Sequence, residues 1–301
     1  ALYNIVDQFF IGRSIGELGN AATNVAFPLS ICCTAIALLL GLGGAAAFNI
    51  SLGEGNKDKA VYYMGNASIL LFFCGLVLSL VVFTFLSPLL FFFGAPENVF
   101  DYAKTYTSIT AIGFPFLVFS IGNGHLIRAD GSPRYTMFFN FTGAIINTIL
   151  DALFIFGFDM GMAGAAWATV IGQVASAMLA FRYLRRCKTV KIKRIHLIPK
   201  WQYTNRILSL GVASFFNQIA MMIVQIVMNK SLTYYGALSS YGQAIPLASV
   251  GIITKVNQLF FAVVIGISQG MQPIVSFNYG ARNYSRVKKA YIISLSYGVA
   301  I

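Results

Sequence analysis

Runs of eighteen or more predominantly apolar residues recur from one end of this chain to the other. A run of that length crosses the roughly 30 Å hydrocarbon core of a bilayer as a helix. In lipid, only helices and closed barrels satisfy their own backbone. A barrel would alternate over segments of about ten residues, and no such pattern is present. Charged residues make up 10% of the 301 positions, where a soluble domain carries about a quarter. The chain therefore reads as an all-α, polytopic membrane protein. The predicted helical segments are 1–12, 21–50, 61–93, 103–127, 134–158, 161–184, 205–235, 247–279 and 287–301. The first and last are cut short and neither resembles a signal peptide, so a fragment of a longer chain with about nine helices is expected.

Loop charge orients these segments. The loops at 53–60, 128–134, 182–206 and 280–289 hold seventeen of the 21 Lys and Arg residues, against three (Arg13, Lys104 and Lys230) in the opposite loops. The positive-inside rule places the seventeen in the cytoplasm of a cell whose plasma membrane the protein crosses repeatedly. The net charge of +12 is thus accounted for by topology, and no nucleic-acid partner is expected. The longest basic stretch, RYLRRCKTVKIKRIHLIPKWQYTNR, reads as a cytoplasmic linker in contact with anionic membrane lipids.

That linker divides a repeat. GLGGAAAFNISLGEGNKDKA at 41–60 resembles SQGMQPIVSFNYGARNYSRV at 268–287 with a constant offset of 227, which pairs Gly43 with Gly270, Gly53 with Gly280 and Asn56 with Asn283. Upstream, Gly19 aligns with Gly236 at an offset of 217, which leaves about ten extra residues near ALSSYGQAIP in the second copy. Two pseudo-symmetric six-helix lobes follow as the architecture: an N-terminal lobe at 1–185, a basic linker at 186–204, and a partial C-terminal lobe at 205–301. Transporters built from such repeats bind substrate between them, near the midplane.

Only nine residues are acidic, yet Asp7 and Asp151 lie inside apolar segments. A charge there costs several kcal/mol unless it has a partner or a task. Asn147 precedes Asp151 by four residues, which puts both on one helix face. Asp7 is about six residues, or roughly 9 Å, from the outer-loop Arg13. Thr169 sits at a comparable depth in its own segment. Together they offer carboxylate, amide and hydroxyl oxygens, which suit a hard cation such as Na⁺ or a proton.

Four stretches resemble the multidrug and toxic compound extrusion (MATE) family, and its bacterial exporters in particular. They are VDQFFIGRSIG, IRADGSPRYTM, NTILDALFIFGFDMGMAGAAWATVIGQ and SFNYGARNYSRVKKA. The resemblance spans nearly the whole chain and is most diagnostic in the third stretch. It implies export of lipophilic, cationic drugs by alternating access, coupled to inward movement of Na⁺ or H⁺, with no other cofactor and no catalysis. Carried over residue by residue, Asp7, Asn147, Asp151 and Thr169 match the coupling-cation cluster, with Na⁺ at Asp7, Asn147 and Asp151. The seventh segment lacks the acid that some relatives carry and has Asn217, Gln218 and Gln225 instead. A monomer is expected.

Gln218 and Gln225 share a helix face and are candidates to line the substrate cavity. Lys255, inside the eighth segment, is a third. The 27 Phe, 15 Tyr and nine Met residues suit walls for flat lipophilic cations. The four cysteines have no metal-ligand spacing and read as core residues. His125 and His196 are expected at the membrane interface, near cytoplasmic helix ends. GLGGAAAF reads as a close helix-packing face, and Pro115 is expected to kink the fourth helix. A flippase for lipid-linked precursors is the rival reading, but the acidic lobe argues against an anionic substrate. A membrane transferase would need an Asp-rich motif, which the sequence lacks.

Overall fold

The computed structural model describes residues 2–95, 97–238 and 244–300, apart from the side chains of 2–6, 17, 229, 230, 232, 233, 237, 244–252, 254–256, 258 and 259. All the regular structure described is helical. Helix α1 is Leu2–Ser14, and α2 (Glu17–Ala37) continues through a π-helical turn at Leu38–Leu42 into α3 (Gly43–Gly53). There follow α4 (Lys57–Thr84), α5 (Leu86–Phe92), α6 (Glu97–Ala129) and α7 (Pro133–Ala152), the last extended by a second π-helical turn at Leu153–Gly157. Then come α8 (Gly161–Leu184), a 3₁₀ turn at Arg194–Leu197, α9 (Trp201–Ala237), α10 (Ala244–Gly280) and α11 (Tyr284–Ala300). Among the described residues, seven helical stretches are long and apolar enough to cross a membrane.

Two boundaries differ from the sequence reading. The single segment predicted at 61–93 is broken at Phe85, whose backbone leaves the helical region (φ −113°, ψ 28°). Pro88 explains this: it has no N–H to give to Thr84 and its ring crowds that carbonyl, so the chain stops and restarts. The segment predicted at 21–50 is longer and contains a π turn, which inserts a residue without interrupting apolarity.

Helix α6 sits at the centre, against α2, α4 and α8, while α7 lies on α8. Small residues permit these approaches. A side chain at Gly41 would meet the Gly122 Cα at 2.5 Å, and one at Gly75 would meet the Pro115 Cα at 2.8 Å. Pro115 does not end α6. The carbonyl of Ala111, which Pro115 cannot satisfy, accepts a hydrogen bond from Ser79 Oγ of α4 at 2.7 Å. GLGGAAAF is a packing face as expected, with Gly43 against the Ile207 carbonyl of α9.

The repeat positions touch. Gly53 of α3 packs on the Phe277 carbonyl of α10, and Gly280 of α10 packs on the Ile50 carbonyl of α3. Asn56 and Asn283 make the same local bond, each side-chain oxygen accepting from the backbone N–H three residues on, at 3.0 and 3.5 Å. The extra loop expected near 237–246 includes residues 239–243, which lie outside the described residues.

Candidate functional site

Three helices bring the intramembrane acids together. Helix α1 packs on α2, α7 and α8. Phe10 of α1 meets Phe156 of the second π turn edge to face, with ring centroids 5.8 Å apart, and Ile11 and Ile155 share one apolar cluster. This contact sets Asp7 beside Asp151, so that each carboxyl group acts on the other. Asp7 is 8% exposed and Asp151 fully buried. On the other side, Gly172 of α8 lies against the Gly143 carbonyl and the Asn147 Cβ of α7. That approach lets Asn147 Nδ2 donate to Thr169 Oγ1 at 3.4 Å. The four residues named from the sequence therefore form one cluster.

Its polar atoms are poorly served. Oδ1 of Asp7, both carboxylate oxygens of Asp151 and Oδ1 of Asn147 are buried and accept no hydrogen bond from the protein. A native interior rarely leaves such groups alone, and a buried unpaired carboxylate is the most costly kind. All these unmet atoms are oxygens. They can hold a proton between the carboxyl groups, or a hard monovalent cation among them.

Two features of this region escaped the sequence reading. The π turn Leu153–Gly157 begins two residues after Asp151, and such turns often mark functional positions. Beyond Thr169 lies a small cleft of about 30 Å³, lined in part by Ser30, Thr107, Thr110 and Gln173. Thr107 Oγ1 and Gln173 Oε1 are buried there without partners. Neither residue carries charge, so neither stood out in an apolar segment.

The other candidates lie elsewhere. Gln218 and Gln225 are half-buried on α9, which packs on α2, α3 and α4 rather than joining the cluster's helices α1, α7 and α8. The side chain of Lys255 lies outside the described residues. His125 is buried within the protein. It is only 4% exposed, and Arg128 Nη2 donates to its Nδ1 at 3.0 Å. Helix α6 is wrapped by its neighbours to its very end, so proximity to a helix terminus did not mean exposure. His196 sits in the 3₁₀ turn, where burial first, and then Lys193 and Lys200, hold its pKa below the usual value despite Asp58.

A third buried acid also went unnoticed in the sequence. Asp130, in the turn between α6 and α7, is 2% exposed. It accepts from the Tyr183 hydroxyl at 2.8 Å, from the Lys188 N–H at 2.7 Å and from the Thr189 N–H at 3.0 Å. Gly131, with φ +78°, turns the chain so that this carboxylate faces inward.

A known family model, MatE, matches residues 1–153 and 213–301. The chain belongs to the MatE family. The multidrug export protein MepA of Staphylococcus aureus (strain NCTC 8325 / PS 47) is 26% identical over 298 residues, covering 98% of this chain and 64% of that protein. The MATE multidrug transporter DinF-BH, solved in complex with a ligand, superposes with a TM-score of 0.88 at 31% identity, over 98% of this chain and 65% of that one. A MOP superfamily transporter from Pyrococcus furiosus has a TM-score of 0.87 at 23% identity, over 98% of this chain and 64% of that one, and supports the fold alone. The chain thus spans about 64% of the length of the curated relatives it matches. These relatives are named as an export protein and as transporters.

Proposed function

We propose that this chain supplies the ion-coupling half of a cation-driven exporter of lipophilic, cationic compounds. The observation that carries the reading is the pair of buried carboxyl groups, Asp7 and Asp151, three of whose four oxygens have no hydrogen-bond partner in the protein. Asn147 and Thr169 complete the oxygen set. In the state that faces the ion-rich side, Na⁺ or H⁺ neutralises the pair. With the charge removed, α1 can close on α7 and α8 without two carboxylates repelling each other. When the ion leaves, that packing is disfavoured and the alternative is adopted. Coupling consists of this difference in ion affinity between two packings.

The exporter assignment is supported by the names of the relatives, a multidrug export protein and a multidrug transporter solved with a bound ligand. We further propose that the basic loops face the cytoplasm of a plasma-membrane protein, that residues 1–185 and 205–301 belong to separate lobes joined by 186–204, and that the transporter works as a monomer. Gln218, Gln225 and Lys255 are proposed substrate contacts on the second lobe.

The test is dye efflux from cells producing the full-length protein. Asp7→Asn and Asp151→Asn are expected to lose efflux by at least about tenfold, the size of one lost charged interaction, while remaining in the membrane at wild-type levels. Wild-type efflux in both variants would refute the reading. Reconstituted protein driven first by a Na⁺ gradient and then by a pH gradient identifies the ion.

A further inference from the structure

The basic segment between α8 and α9 is not a free linker. Its first part is held by Asp130, through the N–H groups of Lys188 and Thr189. Its last part is held by Asn66 of α4. Asn66 Nδ2 donates to the His196 carbonyl at 3.0 Å, and its Oδ1 accepts from the Lys200 N–H at 2.7 Å. The Tyr62 ring stacks on Tyr203 at 5.0 Å and lies under the Lys200 ammonium at 4.5 Å. The segment is a strap pinned to the side of α4.

Two observations set the strap's surroundings. The first is depth. Helix α4 has 28 residues, about 42 Å at 1.5 Å per residue, against a hydrocarbon core of about 30 Å. Centred in a bilayer it overhangs each face by about 6 Å, while Asn66 lies about 13 Å from its first residue. The pin therefore falls just inside the boundary between headgroups and acyl chains, about 7 Å deep, the depth at which interfacial elements bury their apolar side. The second is chemistry. Lys191, Lys193 and Arg194 are exposed on this strap, and beside them Ile195 is 53%, Ile198 59% and Trp201 75% exposed. Residues 182–206 contain no acid. Asp58, at the start of α4, acts on His196 of its 3₁₀ turn.

Exposed isoleucines and a tryptophan next to a run of cations are poorly placed in water. They fit an interface where apolar groups enter the acyl boundary, Trp lies among the headgroups and cations reach phosphates. We infer that residues 191–201 form an interfacial strap that docks on anionic phospholipid of the surrounding bilayer.

The experiment uses the full-length protein in nanodiscs, with every tryptophan except Trp201 replaced by Phe, Trp167 included. Trp201 fluorescence is recorded with brominated phosphatidylglycerol in a phosphatidylcholine background, and with the labels reversed. Brominated phosphatidylglycerol is expected to quench several-fold more at equal mole fraction. The combined variant Lys191→Gln, Lys193→Gln, Arg194→Gln is expected to erase that preference, each lost charge weakening the lipid association about fivefold. It leaves Asp130 and Asn66 in place and is expected to retain dye efflux. Equal quenching by both bromolipids would overturn the assignment to anionic lipid. Quenching by aqueous iodide and by neither bromolipid would overturn the interfacial position itself.

Discussion

Two sets of buried carboxylates lie toward opposite ends of α7 and α8, and they are treated in opposite ways. At one end, Asp130 accepts three hydrogen bonds, all from groups within 59 residues of it in sequence. At the other, Oδ1 of Asp7 and both oxygens of Asp151 have no hydrogen-bond partner in the protein. Burial is nearly the same in both cases, 2% exposure for Asp130 and 8% and 0% for the pair. What differs is satisfaction. A carboxylate given fixed donors is part of the scaffold, because the protein itself balances its charge. Carboxylates left without donors suit the proposed coupling site, where a mobile ion would balance them.

The sharpest way to break this contrast is to make one substitution at both ends. Asp130→Asn is expected to destabilise the protein by about 3 kcal/mol, because it removes a charged acceptor from three donors, the Tyr183 hydroxyl among them buried. Thermal unfolding in detergent measures this. Asp151→Asn is expected to leave stability unchanged or raise it by about 1 kcal/mol, since it removes an uncompensated buried charge. Equal losses at both sites would end the distinction. A smaller effect is expected at Asn66→Ala, which deletes two bonds between α4 and the strap. A loss of about 1–2 kcal/mol should accompany faster tryptic cutting at Lys191 to Arg194, and uncut protein under the same conditions would show that the strap does not depend on this pin. The smallest effect is expected at Thr169→Val, where one long bond from Asn147 is lost. Stability should change by about 0.5 kcal/mol, while the ion concentration needed for half-maximal efflux rises. An unchanged ion requirement would remove Thr169 from the oxygen set.

Much of this was legible in the sequence, for identifiable reasons. Apolar runs announce membrane helices because lipid permits no alternative. Asp7 and Asp151 stood out because a charge is conspicuous in such a run, and the spacing of Asn147 placed it on the same helix face. Asp130 was hidden among loop residues that look solvated, and Thr107 and Gln173 have no charge to betray them. His125 misled for a related reason: distance from a helix end says nothing about what packs around that end. The linker read as a cytoplasmic tether in contact with anionic lipid, because composition reports its cations but not the backbone N–H groups that Asp130 and Asn66 hold.

The sequence by itself determined the helical membrane class, the repeat with Gly53 and Gly280 in equivalent places, and the identity of the oxygen-bearing residues. These follow from one-dimensional quantities: run length, period and the cost of charge in lipid. Only the tertiary structure decided which acids meet, which have donors, and that Gly53 and Gly280 lie at the α3–α10 contact. Those outcomes depend on how closely helices approach and how they are rotated, and the π turn after Asp151 alters that rotation without leaving a mark on the apolar pattern.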